Sequence, residues 1–203
     1  MEAKEFQDIE EALKHLRSFE KRKFDQSLDL NVTLKNIDLK RPENKFSKEV
    51  MLPHGRGKDI EVCVISEAAG IGRKEIDDFE RDKKKLKQFV KKYDFFLCEA
   101  PLMPIIGKAL GRYLAPKGKM PKLLPPGRDP NILIDEAKKS VRIRVRDSPS
   151  IQVMIGSESM SDQQLKENAE RVIDEIKKSL PGKVQIKSAY LKFTMTKPVK
   201  LKV

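Results

Sequence analysis

The chain has 203 residues, 38% hydrophobic and 36% charged, and its 43 Lys and Arg against 31 Asp and Glu leave a formal charge of +12. The apolar share can build a core, which excludes wholesale disorder, and no run approaches the roughly 18 apolar residues of a membrane span. No apolar segment at the start resembles a secretory signal, and only two cysteines occur, Cys63 and Cys98, both in apolar stretches; this predicts a cytoplasmic protein with reduced thiols and excludes a disulfide scaffold or a cysteine-based zinc site.

Residues 6–24 place Ile9, Ala12, Leu13, Leu16 and Phe19 at helical spacing. Residues 28–34 alternate strictly between apolar and polar, the pattern of a strand with one buried face. A polar connection with Pro42 leads to a short strand at 50–52, which stops at the turn cluster Pro53-His54-Gly55-Arg56-Gly57, and 60–65 is a compact apolar strand. A different rhythm follows: a helical pattern over 73–93, a buried strand at 95–98, short helices at 104–114 and 132–139, and an alternating strand at 141–146. Strand and helix in alternation predict a small three-layer α/β unit with a parallel sheet. Half of the twelve prolines lie between Pro101 and Pro126, which predicts a long ordered loop there. Beyond Asp147-Ser148-Pro149 come a strand at 151–155, a helix at 164–179 with Leu165, Ala169, Val172, Ile173 and Ile176 on one side, and a long strand at 184–193. Neither end makes a sizeable core alone. The reading is therefore an α/β protein of two domains, a split α+β domain from residues 1–65 and 150–203 with residues 66–149 inserted; three lobes in series would leave each one marginal.

The charge is uneven. Residues 183–203 hold six lysines and no acid, and residues 117–128 hold four basic residues and no acid, whereas 73–92 mixes both signs as a solvated helix face does. A field of this sign favours nucleic acid or an anionic membrane. The best amphipathic candidate, 73–92, has too few bulky apolar residues for a membrane surface, so nucleic acid is preferred. Catalytic signals are sparse. His15 and His54 have no metal-ligand spacing around them, and Gly70-Ile71-Gly72 lacks the third glycine and the Lys-Ser/Thr pair of a phosphate loop. More informative is Lys21-Arg22-Lys23-Phe24-Asp25-Gln26-Ser27, where a ring follows three cations. Phe24 either opens the next strand in the core or contacts a ribose or base between phosphate neutralisers. At the other end, Ser188-Ala189-Tyr190 leads to Thr194-Met195-Thr196-Lys197-Pro198, whose hydroxyls suit a 2′-OH.

Four segments in order, Lys23-Phe24-Asp25-Gln26-Ser27, Leu52-Pro53-His54-Gly55-Arg56-Gly57-Lys58, Ala115-Pro116-Lys117-Gly118-Lys119-Met120-Pro121 and Thr194-Met195, make the sequence resemble the L-one family of large-subunit ribosomal proteins. The resemblance covers nearly the whole chain. It implies a ribosomal stalk protein beside the tRNA exit site, whose terminal halves bind ribosomal RNA and whose inserted domain is Rossmann-like and hinged on two strands. The partners it implies are large-subunit rRNA, the protein's own mRNA as a repressor target, and tRNA at the exit site, with no cofactor and a monomer off the ribosome. The family motif carries RNA contacts onto Lys23, Phe24, Ser27, Ser188, Thr194 and Met195, and further onto Lys35 and Arg41. On the resulting surface Lys23, Lys35, Arg41, Lys192 and Lys197 would neutralise phosphates. Thr196 stands where the family usually has Gly, and Lys117-Gly118-Lys119-Met120-Pro121 points to an archaeal or eukaryotic type. The loop at 101–130, with Lys117, Lys119, Lys122 and Arg128, either touches tRNA or other rRNA during translation or only opens and closes over the first domain. The rival readings are a nucleotide-using enzyme on the α/β insert and a translational regulator with no ribosomal role.

Overall fold

A computed structural model describes residues 4–202 apart from 59, 68–70, 126–128 and 183. Gly70, Pro126 and Arg128, singled out above, lie outside the described residues. The chain opens with β1 (Glu5–Phe6), α1 (Ile9–Arg17), β2 (Ser27–Lys35) and β3 (Phe46–Met51). The middle holds β4 (Val62–Ile65), α2 (Arg73–Arg81), α3 (Lys83–Lys92), β5 (Phe95–Glu99), α4 (Met103–Ala109), α5 (Gly111–Lys117), β6 (Lys122–Leu124) and α6 (Pro130–Lys139). It closes with β7 (Ser140–Val145), β8 (Ser150–Ser157), α7 (Asp162–Ser179), β9 (Gln185–Phe193) and β10 (Val199–Leu201). Two compact units result: Met1–Lys58 with Lys139–Val203, and Asp59–Lys138.

The terminal unit is built on a five-stranded sheet of order β1-β10-β9-β2-β8. In β2 the alternation works as read: Leu28, Leu30, Val32 and Leu34 are buried, and Ser27, Asp29, Asn31 and Thr33 take the other face. The buried face packs on α1, on α7 and on the antiparallel ribbon β3–β7, so one core is assembled from both ends of the chain. Each fully buried Leu, Val or Ile there contributes about 1.5–3 kcal/mol. Ser161 caps α7 by accepting from Gln164 N, while the Gln164 side chain accepts from Ser161 N, and Leu165, Ala169, Val172, Ile173 and Ile176 are buried. Helix α1 starts at Asp8, whose carboxylate accepts from Glu10 N, and stops at Arg17 rather than running on to 24. Beyond Phe19 the segment Glu20-Lys21-Arg22-Lys23 has no apolar side chain to bury, so nothing holds it helical.

Two strands change sides relative to the sequence reading. Strand β4, assigned to the terminal domain, pairs in parallel with β5 in the inserted unit; β7, assigned to the insert, pairs with β3 in the terminal unit. The inserted unit's parallel sheet runs β4-β5-β6. Cys63, Ile65, Phe96 and Cys98 pack with residues of α2 to α5, and Phe95, Leu97 and Leu124 pack with Leu133 and Ala137 of α6, so helices cover both faces. Burial pushes the Cys63 thiol up to about 12 and that of Cys98 up to about 11, which keeps both protonated and unreactive. The helical stretch at 73–93 is broken at Asp82, whose carboxylate accepts from Lys84 N and Lys85 N and starts α3 afresh.

From Ala100 to Lys117 the proline-rich segment is helical and packed, not a long loop. Pro101 and Pro104 stand in the first turns of a 3₁₀ turn and of α4, where a missing N–H leaves no bond unmade, and Leu102, Ile106, Leu110 and Leu114 are buried. Lys119, one of the basic residues read as a tRNA contact, is committed internally: its Nζ donates to Tyr93 O at 2.7 Å, to Asp94 Oδ1 at 3.1 Å and to Val90 O at 3.3 Å. It closes the C-terminal end of α3.

Candidate nucleic-acid interface

The first residue of β2 and the end of β9 meet at one edge of the terminal unit. Thr194 N donates to Ser27 O at 3.1 Å, and Ser27 N donates to Thr194 Oγ1 at 3.2 Å. The chain then turns on itself: Thr196 N donates to Phe193 O at 3.2 Å and Phe193 N donates to Thr196 Oγ1 at 3.1 Å. Among the described residues Asn36 is the only non-glycine with positive φ, so Thr196 sits in ordinary backbone and its Cβ does not strain the turn. Its hydroxyl supplies a bond that glycine cannot.

Gln26 rivets this turn to the neighbouring loop. It is 2% exposed; its Oε1 accepts from Met195 N at 3.0 Å, its Nε2 donates to Glu158 Oε2 at 3.1 Å, and its carbonyl accepts from Glu158 N at 2.8 Å. On either side of the rivet stand Phe24, 51% exposed, and Met195, 57% exposed. Phe24 is therefore no core residue. Asp25 accepts from Ser159 N at 3.1 Å and from Ser159 Oγ at 3.3 Å. Its carboxyl lies below the usual value, chiefly because the Ser157 hydroxyl bonds it, with burial pulling the other way and the Ser159 bonds and Lys58 adding to the fall.

Lys58 reaches the same edge and donates to Ser27 Oγ at 2.8 Å. The loop carrying it turns at Gly55 and Gly57, both with positive φ, and a Cβ on Gly57 would meet Met160 Sδ at 2.8 Å. Fully buried Asn168 of α7 holds the loop: its Oδ1 accepts from His54 N at 3.2 Å, and its Nδ2 donates to Gly55 O and Ile155 O, each at 2.9 Å. His54 Nε2 lies 2.6 Å from Glu167 Oε2, and that hydrogen bond holds the Glu167 carboxyl below its usual value.

A profile of the Ribosomal protein L1p/L10e family matches residues 16–197. The chain belongs to this family. Large ribosomal subunit protein uL1 of Pyrococcus horikoshii is 44% identical over 210 residues, covering 96% of this chain and 95% of that protein. The proteins of the same name from Methanocaldococcus jannaschii and Thermofilum pendens are 42% and 41% identical, with 95% of this chain aligned to each and 94% and 92% of the relatives covered.

Against this L1-family background, the residues read from the sequence fall into two groups. Lys23, Phe24, Ser27, Thr194, Met195, Thr196 and Lys197 gather at the edge just described. Ser188 does not: it pairs with Thr33 on the open face of the sheet, six positions along β2 from Ser27, about 20 Å at 3.3 Å per residue. Lys35 ends β2 at its far end, and Arg41 lies beyond it, 3.6 Å from Asp38. Between these groups the open face carries Asp29 opposite Lys192 and Asn31 opposite Tyr190. Burial raises the Asp29 carboxyl above its usual value, against the pull of Lys192 and Lys58. The Asn31 Oδ1 is buried without a hydrogen-bond partner among the described residues.

The sequence reading missed Gln26, Lys58 and Glu158. The first two lie inside the segments that carry the family resemblance, so a signal existed. Nothing in Ser157-Glu158-Ser159 marks it beforehand; only the fold brings Glu158 to Gln26.

Proposed function

We propose that the chain is a structural component of the large ribosomal subunit and that its terminal unit binds a specific site on large-subunit rRNA through the edge around Phe24 and Met195. The relatives' shared name, large ribosomal subunit protein, supports the first part. The observation carrying the second is that a ring and a thioether, each more than half exposed, stand next to Gln26, whose side chain ties Met195 N of the β9 turn to Glu158 of the loop before α7, with Phe24 two residues before it in the chain. Folding gains little from exposing them; stacking on bases and riboses would. Ser27 and Thr194 supply hydroxyls for 2′-OH groups, and Lys23, Lys58 and Lys197 supply cations. The open sheet face with Ser188, Tyr190 and Lys192 extends the surface, and Lys35 and Arg41 would touch RNA only if it runs the length of β2.

In this reading the chain works in the cytoplasm as part of an archaeal-type stalk. It is a monomer off the ribosome, it represses its own mRNA by binding a similar structure, and it assists the release of deacylated tRNA. The two-domain reading, with a split α+β domain and a Rossmann-like insert, is supported by the two compact units and by the parallel β4-β5-β6 sheet with helices on both faces. For a tRNA contact the insert offers Lys117 and Lys122. The family is not one of enzymes, which leaves the nucleotide-using alternative without support.

Filter binding at several salt concentrations tests the RNA surface. With about five phosphates neutralised, log K falls with log salt at a slope near −4. Phe24→Ala or Met195→Ala weakens rRNA binding far more than binding of random RNA; equal losses for both would refute a specific contact. Cross-linking to tRNA in translating ribosomes tests the insert, and absence of a cross-link in every state counts against its role.

A further inference from the structure

Beside Phe24 lies an open cavity of about 350 Å³ lined by Lys21, Lys23, Phe24, Asp25, Glu158 and Ser159, with Arg17 and Arg22 completing its rim. Its acidic side is held by hydrogen bonds. Arg17 clamps the Glu158 loop, donating to Asp162 Oδ1 at 2.5 Å, to Glu158 O at 3.0 Å and to Met160 O at 2.5 Å. Asp25 is occupied by Ser159, and Glu158 Oε2 by Gln26. Glu158 Oε1 makes no hydrogen bond among the described residues.

The placement of that carboxylate is the informative feature. A surface built only to hold phosphates wants cations, and a fixed acid in its midst repels them. An acid becomes productive when it accepts hydrogen bonds from the edge of a base, the way carboxylates read exocyclic amines. The exposed Phe24 ring provides a stacking face on the same cavity, and Lys21 and Lys23 provide cations at its mouth. Guanine suits this set best. Its N1–H and N2–H donors lie side by side: one can reach the open Oε1 and the other the second lone pair of Oε2, which already accepts from Gln26 Nε2, whereas adenine and cytosine offer one amine each and uracil one ring N–H between two carbonyls.

We propose that the cavity is a guanine pocket: an unpaired guanosine of the bound RNA stacks on Phe24, donates N1–H and N2–H to Glu158, and lays its phosphates against Lys21 and Lys23. This rests on the RNA-binding reading above and adds a base identity to it.

The test is an amide NMR titration of the full chain with GMP, IMP, AMP and inorganic phosphate. GMP shifts the resonances of Phe24, Asp25, Glu158 and Ser159 and binds at least about five-fold tighter than IMP, which lacks the N2 amine, or AMP, the low end of what a bidentate pair discriminates. Inorganic phosphate shifts only residues 21–23. Glu158→Gln removes the preference for GMP over IMP and keeps the phosphate response; if that variant fails to fold, the GMP–IMP comparison on the unaltered chain decides alone. Equal affinities for the three nucleotides, shifts that map elsewhere, no shift at all, or a preference that survives Glu158→Gln would each overturn the pocket. Failure of the pocket alone leaves specific retention of rRNA on filters intact, whereas failure of the RNA reading abolishes that retention.

Discussion

Replacing Gln26 by Met keeps the side chain's length and bulk and deletes both of its polar ends. Gln26 is 2% exposed and makes two side-chain bonds, one from Met195 N at 3.0 Å and one to Glu158 Oε2 at 3.1 Å. The neutral bond contributes about 1 kcal/mol net and the bond to a carboxylate about 1.5–3 kcal/mol, with the low end apt here because Glu158 is only partly buried. The expected destabilisation is therefore about 2–3 kcal/mol, which at a urea m-value of about 2 kcal/mol/M lowers the terminal unit's midpoint by about 1 M. Specific RNA affinity falls further than stability alone requires, because the turn at 193–196 loses its tie to Phe24 while random RNA, bound through charge, is retained. Gln26→Glu separates polarity from shape: it sets a second carboxylate against Glu158, so its destabilisation at neutral pH is relieved on acidification. A loss below about 0.5 kcal/mol in Gln26→Met with unchanged specific affinity would refute the reasoning and leave Thr194–Ser27 as the sole anchor of the turn.

Asn168→Ala strands the His54 N–H and two carbonyls in a buried site; calorimetry should show a loss of about 3 kcal/mol and hydrogen exchange a loosened loop at 53–58. Gly156→Ala drives a methyl into the Leu165 side chain and to 3.0 Å from Met160 Sδ, and chemical denaturation should register about 1–3 kcal/mol of overpacking. Asp25, whose folded-state carboxyl lies below its unfolded value, stabilises above the unfolded pKa and loses that contribution as pH falls through the folded one; Asp25→Asn should flatten this acid limb of thermal stability. Asp29 has the opposite sign: its raised folded-state value lowers stability as pH rises past the unfolded pKa, so Asp29→Asn should raise Tm at pH 7 and leave it unchanged near pH 3.

Periodicity told which residues turn inward but not what they meet. The alternation of β2 and the apolar side of α7 were legible because each has one buried face long enough to show a period. β1 and β10, two and three residues long, are too short to show one. The exchange of β4 and β7 between units has the same root. An alternating strand such as Val141-Arg142-Ile143-Arg144-Val145 announces a half-buried position, while its partner, β3, lies some ninety residues earlier and is chosen by packing. Pro101 and Pro104 read as breakers because a proline's effect depends on its place in a helix, and at the first turn it is neutral; Pro116 stands inside α5, one residue before its end.

The candidate site was legible as residues and not as the bonds that join them. Lys23, Phe24, Ser27, Thr194 and Met195 are visible as types in a basic context, yet the groups that hold them, Gln26, Glu158 and Lys58, make their bonds across 31 to 169 positions of sequence. This division has an energetic meaning. Phe24 and Met195 give little to folding in their exposed positions, so apolar burial cannot fix them; polar bonds at Gln26, Thr194 and Asp25 must do so instead. In the proposed RNA complex, a surface ordered in advance would spare the roughly 0.5–1.5 kcal/mol that ordering each such side chain otherwise subtracts from affinity. Variants that cut the polar ties should therefore lose more in specific binding than in stability, and those that trim only the exposed side chains should lose binding with almost no change in stability.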